Sequence, residues 1–225
     1  MSKRDSITTV ARLKEYLQRQ PKRGNDVVKR ANVILKLLKL LSSKRKESAA
    51  VLQMESEYLT VKLVALLQDG MRCAVRDVVN HAASKDEKMP TVEGITLDMV
   101  IEFQNKAYTI GDFVAHTFPY NSMEQIASSI ERVTGKNLLE LRKRFTDALK
   151  EPQPESPEDE HKQDWQVIEK LFSRRNVICH EQGLKVGHNK SEMFDEMIAV
   201  YSIVAFVGYY AEIEVADIGS KKAKQ

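Results

Sequence analysis

The chain reads as an all-α protein, and three features of its sequence predict this. Apolar residues recur at three- and four-residue intervals through most of its 225 residues. No stretch alternates apolar and polar residues for long enough to suggest a strand. The periodic segments are divided by clusters of Pro, Gly, Asn and Ser, the residues that stop helices and cap them. The expected architecture is an up-and-down helical bundle preceded by extra N-terminal helices.

Residues 6–20 carry Ile7, Val10, Leu13 and Leu17 at helical spacing, and Pro21 to Asp26 breaks that segment. From Val27 the apolar positions Val27, Ala31, Ile34, Leu38 and Leu41 follow a 4-3-4-3 spacing. Such a stripe serves a core or a seam with a partner helix. Residues 47–83 predict a long helix with Val51, Met54, Tyr58, Val61 and Ala65 on one face and Gly70 as its only glycine. Residues 84–94 read as a polar loop, and a third helix is expected from Thr96 to about residue 107. A shorter piece from Ile110 to Phe118 is stopped by Pro119. Asn121 or Ser122 caps the next helix, with Ser122 and Gln125 in capping-box spacing, and Thr134-Gly135 ends it. Another helix follows from Asn137 to Leu149.

Residues 151–160 hold three prolines and five acids and predict a solvated linker. Trp165, Ile168, Leu171 and Phe172 then form an apolar lead-in, and a last helix from Met193 to Tyr210 is apolar on nearly all sides. A helix of that kind sits centrally in a bundle or in a dimer interface. The organisation expected is a basic helical segment over 1–46 packing on a bundle over 47–218, with a disordered tail over 219–225.

Composition narrows the class. An apolar content of 42% supports a folded core and a charged content of 30% a soluble chain. Met1 to Asp5 leads into no apolar signal region, and no apolar run is long enough to span a bilayer, so a cytoplasmic protein without membrane contact is expected. Cys73 and Cys179 are far apart and lack metal-type spacing, as fits free thiols in a reducing compartment. The net charge of +3 conceals an asymmetry: residues 1–46 carry +11 and the remainder −8. A basic segment of that kind attracts a polyanion such as RNA through counterion release, although a solvated lysine-rich helix face has the same composition.

The densest chemistry lies in Ser173-Arg174-Arg175-Asn176-Val177-Ile178-Cys179-His180. Arginine offers a planar fork of donors that fits phosphate oxygens. Histidine is the residue type whose ordinary pKa lets it take and give a proton near neutrality. Asn176 and His180, four apart, share a helix face, while Arg175 projects well round from His180.

Arg-Asn-x-x-x-His late in an all-helical chain, with an apolar helix leading in and a loop and apolar helix leading out, resembles the signature of the HEPN superfamily. That resemblance implies a helical bundle pairing as a homodimer. It also implies a metal-independent endoribonuclease, cutting RNA by attack of the 2′-hydroxyl to leave a 2′,3′-cyclic phosphate. Arg175, Asn176 and His180 would be the catalytic residues. Arg174, Lys29 and Arg30 are candidate substrate-binding cations. A toxin or antiviral defence setting, with a restraining antitoxin partner, is the implied context. The sequence departs from the family at Glu181, where the residue after the histidine is commonly small; a carboxylate there opposes an incoming phosphate. The same bundle without catalysis would serve as an RNA-binding or protein-interaction module.

No cofactor or metal is expected. Asp77 with His81 and Asp112 with His116 are each four apart, a spacing that would let two helices share a divalent ion. It is equally the spacing of ordinary local pairs. Glycine-rich phosphate loops and serine nucleophile elbows are missing from the sequence. Cys179 and His180 are adjacent and diverge on a helix, so they do not form a thiol–imidazole pair.

Overall fold

The computed structural model describes residues 49–83, 109–149, 157–180 and 190–211, together with Lys29, Asn32, Val33 and Lys36. These residues form an all-helical protein. Among them six helices follow in order: α1 (Ala49–Ala83), α2 (Ile110–Thr117), α3 (Met123–Thr134), α4 (Leu138–Leu149), α5 (Pro157–His180) and α6 (Lys190–Tyr209). Lys29, Asn32, Val33 and Lys36 are also helical. Arg30, the rest of the basic N-terminal segment, the third helix expected after Thr96 and the tail 219–225 lie outside the described residues.

The centre is α1, which packs against α2, α3, α5 and α6. From Leu63 to Val79 it is buried on several sides; Leu63, Leu67 and Met71 have no exposed surface at all. Each such side chain contributes about 1.5–3 kcal/mol relative to remaining in water. Phe113 of α2, Ile126 and Ile130 of α3, Leu141 of α4, Ile168 and Leu171 of α5, and Ile203 and Phe206 of α6 close the same core. The row Val51, Met54, Tyr58 and Val61 does share one side of α1, but it is the solvent side. The buried row is offset from it, through Leu59 and Leu63.

Two glycines let helices meet closely. A Cβ on Gly111 would fall 2.2 Å from the carbonyl oxygen of Arg76, so only glycine permits α2 to lie against α1 at that point. The Gly111 amide donates to Asn80 Oδ1 at 2.9 Å, which fixes the contact. Gly70 lies beneath Val204 of α6 in the same way, with a virtual Cβ 2.9 Å from Val204 Cγ2.

Helix ends follow local chemistry. Thr109 accepts from the Asp112 amide while the Asp112 carboxylate accepts from the Thr109 amide, a reciprocal cap for α2. Ser122 caps α3 by accepting from the Gln125 amide, and Gln125 in turn accepts from Asn121 rather than from Ser122. Gly135 closes α3 in the left-handed region at φ 67°, its amide donating to Glu131. Asn137 and Glu140 cap α4 reciprocally. The expected linker over 151–160 is shortened at its far end: α5 opens at Pro157, so Glu158, Asp159 and Glu160 are its first turn. Proline has no amide to satisfy at a helix start, and carboxylates favour the positive end of the helix dipole.

Among the described residues no helix is long and apolar enough to cross a membrane.

Candidate functional site

The motif occupies the last two turns of α5, a helix whose inner side is Ile168, Leu171 and Phe172. The same chain segment therefore has two surfaces with different fates. Arg174, Arg175, Val177 and Ile178 are half-buried, whereas Ser173, Asn176, Cys179 and His180 are exposed. Asn176 and His180 thus share an open face in the final turn, as their spacing requires. Five residues of α-helix separate Arg175 from His180 by roughly 140° of rotation, and their exposure differs accordingly. One chain brings Asn176 and His180 together and sets Arg175 apart from them.

The neighbouring arginines are held differently. Arg174 reaches across to α6 and donates through Nη1 to the carboxylate of Glu196, with Glu192 Oε2 3.8 Å from its Nη2. Glu196 is buried, at 3% exposure, so its charge sits in low dielectric and the arginine is what offsets the desolvation. Arg174 is therefore an internal tie between α5 and α6, and its guanidinium is already occupied by carboxylates. Arg175 has its Nε buried with no hydrogen-bond partner, leaving that donor unmatched within the chain.

Lys29 is exposed on its helix. Arg30 and Glu181 lie outside the described residues. Glu192 and Glu196 have no special standing in the sequence: they are an acidic pair four apart on a helix, and nothing local marks them as partners of an arginine 22 residues earlier.

Of the other side chains singled out by spacing, the two aspartates take structural roles. Asp112 is engaged in the α2 cap, and Asp77 accepts from Arg76 Nε at 2.7 Å. Among the described residues no three His, Cys, Asp or Glu side chains are grouped so as to hold a metal ion. Cys73 is buried, Cys179 is exposed, and no disulfide joins them.

A second polar cluster ties α4 to α5. Arg142 Nη1 donates to Asp164 Oδ2 at 2.8 Å, and Trp165 Nε1 donates to Glu169 Oε1 at 2.7 Å. His161 stacks edge-on to Trp165 with ring centroids 6.1 Å apart, and its Nδ1 is buried without a hydrogen-bond partner. Burial holds the His161 imidazole below its ordinary pKa, the nearby Arg142 adds to that, and Asp164 opposes it.

The fold and the site together define an all-helical bundle that presents Asn-x-x-x-His on the exposed last turn of one helix, with two inward-leaning arginines just before it. No family model, curated protein or solved structure matches the chain.

Proposed function

We propose that the protein is a metal-independent endoribonuclease of HEPN type, active as a homodimer. The observation that carries this reading is the pairing of exposed Asn176 and His180 on one helix face, beside an arginine whose Nε has no partner in its own chain. Cleavage by the RNA's own 2′-hydroxyl needs only groups of this kind. A base removes the 2′-proton, the 2′-oxygen attacks phosphorus, the bond to the 5′-oxygen breaks, and an acid protonates that leaving oxygen. Histidine serves as acid or base, typically worth about 10²–10⁴-fold. Arg175 would stabilise charge on the non-bridging oxygens, and Asn176 would orient His180 or donate to the phosphate.

Dimerisation follows from the arithmetic of the site. One motif supplies one histidine, and the reaction has two proton transfers. Arg175 and His180 also diverge around their own helix, so an arginine from one protomer and a histidine from the other complete the set more readily than two residues of one chain. Arg174, tied to Glu196, supports the motif turn, and Lys29 and Arg30 belong to the basic segment that would draw in the RNA backbone. The setting that fits a freely acting ribonuclease is toxin or antiviral defence, with an antitoxin as restraint.

The test is incubation of the purified protein with structured RNA in excess EDTA, followed by analysis of the ends. Cyclic phosphate termini that vanish in His180→Ala support the enzyme. Intact RNA with binding retained assigns the bundle to RNA binding without catalysis, and activity abolished by EDTA overturns the metal-independent route.

A further inference from the structure

The first third of α1 leaves an apolar row in water: Val51 is 41% exposed, Met54 71%, Tyr58 54% and Val61 36%. Scattered exposed apolar residues are ordinary, but four in succession at 3-4-3 spacing form a helix-docking seam. Half-buried Ala65 continues the row.

The chain itself contains a matching stripe. Leu41 and Val51 stand five residues before and after Lys46, and Leu38 and Met54 eight residues before and after it. Ile34 with Tyr58, Ala31 with Val61 and Val27 with Ala65 are likewise equidistant from Lys46. Five layers thus coincide without a slip, which is the register of an antiparallel helical hairpin. The chain from Ser42 to Ser48 is of ordinary length for a connection between helices.

Two further observations agree. Lys29, Asn32, Val33 and Lys36 are helical and exposed, and in the sequence they are the positions that helical spacing sets opposite to the apolar stripe. Charge leans the same way: residues 27–41 carry Lys29, Arg30, Lys36 and Lys39 and no acid, whereas residues 51–65 carry Glu55 and Glu57 against one base, Lys62, whose Nζ lies 5.2 Å from the Tyr58 ring centroid.

We propose that the exposed row of α1 is the docking site for residues 27–41 of the same chain, closed antiparallel about Lys46. The basic segment is then fastened to the bundle by its apolar stripe, and Lys29 and Lys36 are turned outward.

The test uses the full chain with Cys179→Ser, treated with a short bifunctional thiol crosslinker. Leu38→Cys with Met54→Cys is expected to give a crosslink within one chain, while Val33→Cys with Met54→Cys is not. Equal reaction of both pairs, or of neither, overturns the docking. Crosslinks between chains overturn it too, and assign the face to a second copy. Hydrogen exchange on the unaltered protein provides a reading independent of the substitutions. Amides over 27–41 should exchange at least about tenfold more slowly than those of 219–225, and equal rates overturn the proposal.

Discussion

Arg174 of α5 donates to the buried carboxylate of Glu196 on α6, one residue before the arginine of the motif. The two adjacent arginines should therefore fail in different ways. Arg174→Ala strands a buried carboxylate, and a loss of about 3–5 kcal/mol is expected, as for breaking a buried pair from one side. Arg174→Met combined with Glu196→Met removes both charges and should recover most of that stability. Urea denaturation of the two variants checks this; equal destabilisation of single and double variants would sink the assignment.

Arg175→Ala should leave the urea midpoint nearly unchanged, because its guanidinium Nε has no partner in the fold, and on the endoribonuclease reading it should abolish cleavage. Arg175→Lys should recover little activity, since an ammonium cannot reproduce a planar fork of donors. Gel assays on structured RNA beside denaturation curves separate the two effects. If Arg174→Ala and Arg175→Ala lose stability alike, the division of roles is wrong.

The glycines give an ordered series. Gly111→Ala drives a methyl group into the Arg76 carbonyl, which is backbone and cannot swing aside, so a cost at the upper end of about 1–3 kcal/mol is expected. Gly135→Ala meets nothing in space but must hold a left-handed conformation, at about 1–2 kcal/mol. Gly70→Ala meets only the methyl groups of Val204 and gains helix propensity of about 1 kcal/mol, so it should be the mildest. Thermal unfolding of the three variants would show a different order if α2 can shift along α1.

His161 makes stability depend on pH. Its folded-state pKa is lowered by burial and by Arg142, so the unfolded chain binds the proton more readily. Its contribution is fully present above the ordinary histidine pKa of about 6.5 and is lost as pH falls below that value toward the folded one. His161→Gln should therefore lose less stability than the natural chain between pH 7 and pH 5. Parallel melting-temperature profiles for the two proteins would contradict this.

Much of the fold is legible in the sequence because its signals are local. Ser122, Gly135 and Pro119 mark helix ends by backbone chemistry that acts within a few residues, and the helices begin or stop there. Pro157 reads as linker because a proline among acids is equally at home in a loop and in a first helical turn. The side on which α1 is buried is not legible. A helix apolar over much of its circumference offers more than one stripe, and only the partners decide which one is covered. The tie from Arg174 to Glu196 is invisible for a similar reason: its two halves lie on different helices, and no spacing rule links them. Asn176 and His180 share a face by spacing alone, and that much the sequence can state.

Where α5 places its last turn also governs how any anion can approach. Carbonyl oxygens converge at that end of a helix and give it a partial negative charge. Under the proposed function, that charge disfavours an RNA strand lying along the helix axis, while one lying broadside would meet the side-chain amide of Asn176 and the imidazole of His180. On the endoribonuclease reading, the strand to be cut would therefore cross α5, with its path biased by the dipole before any base is read.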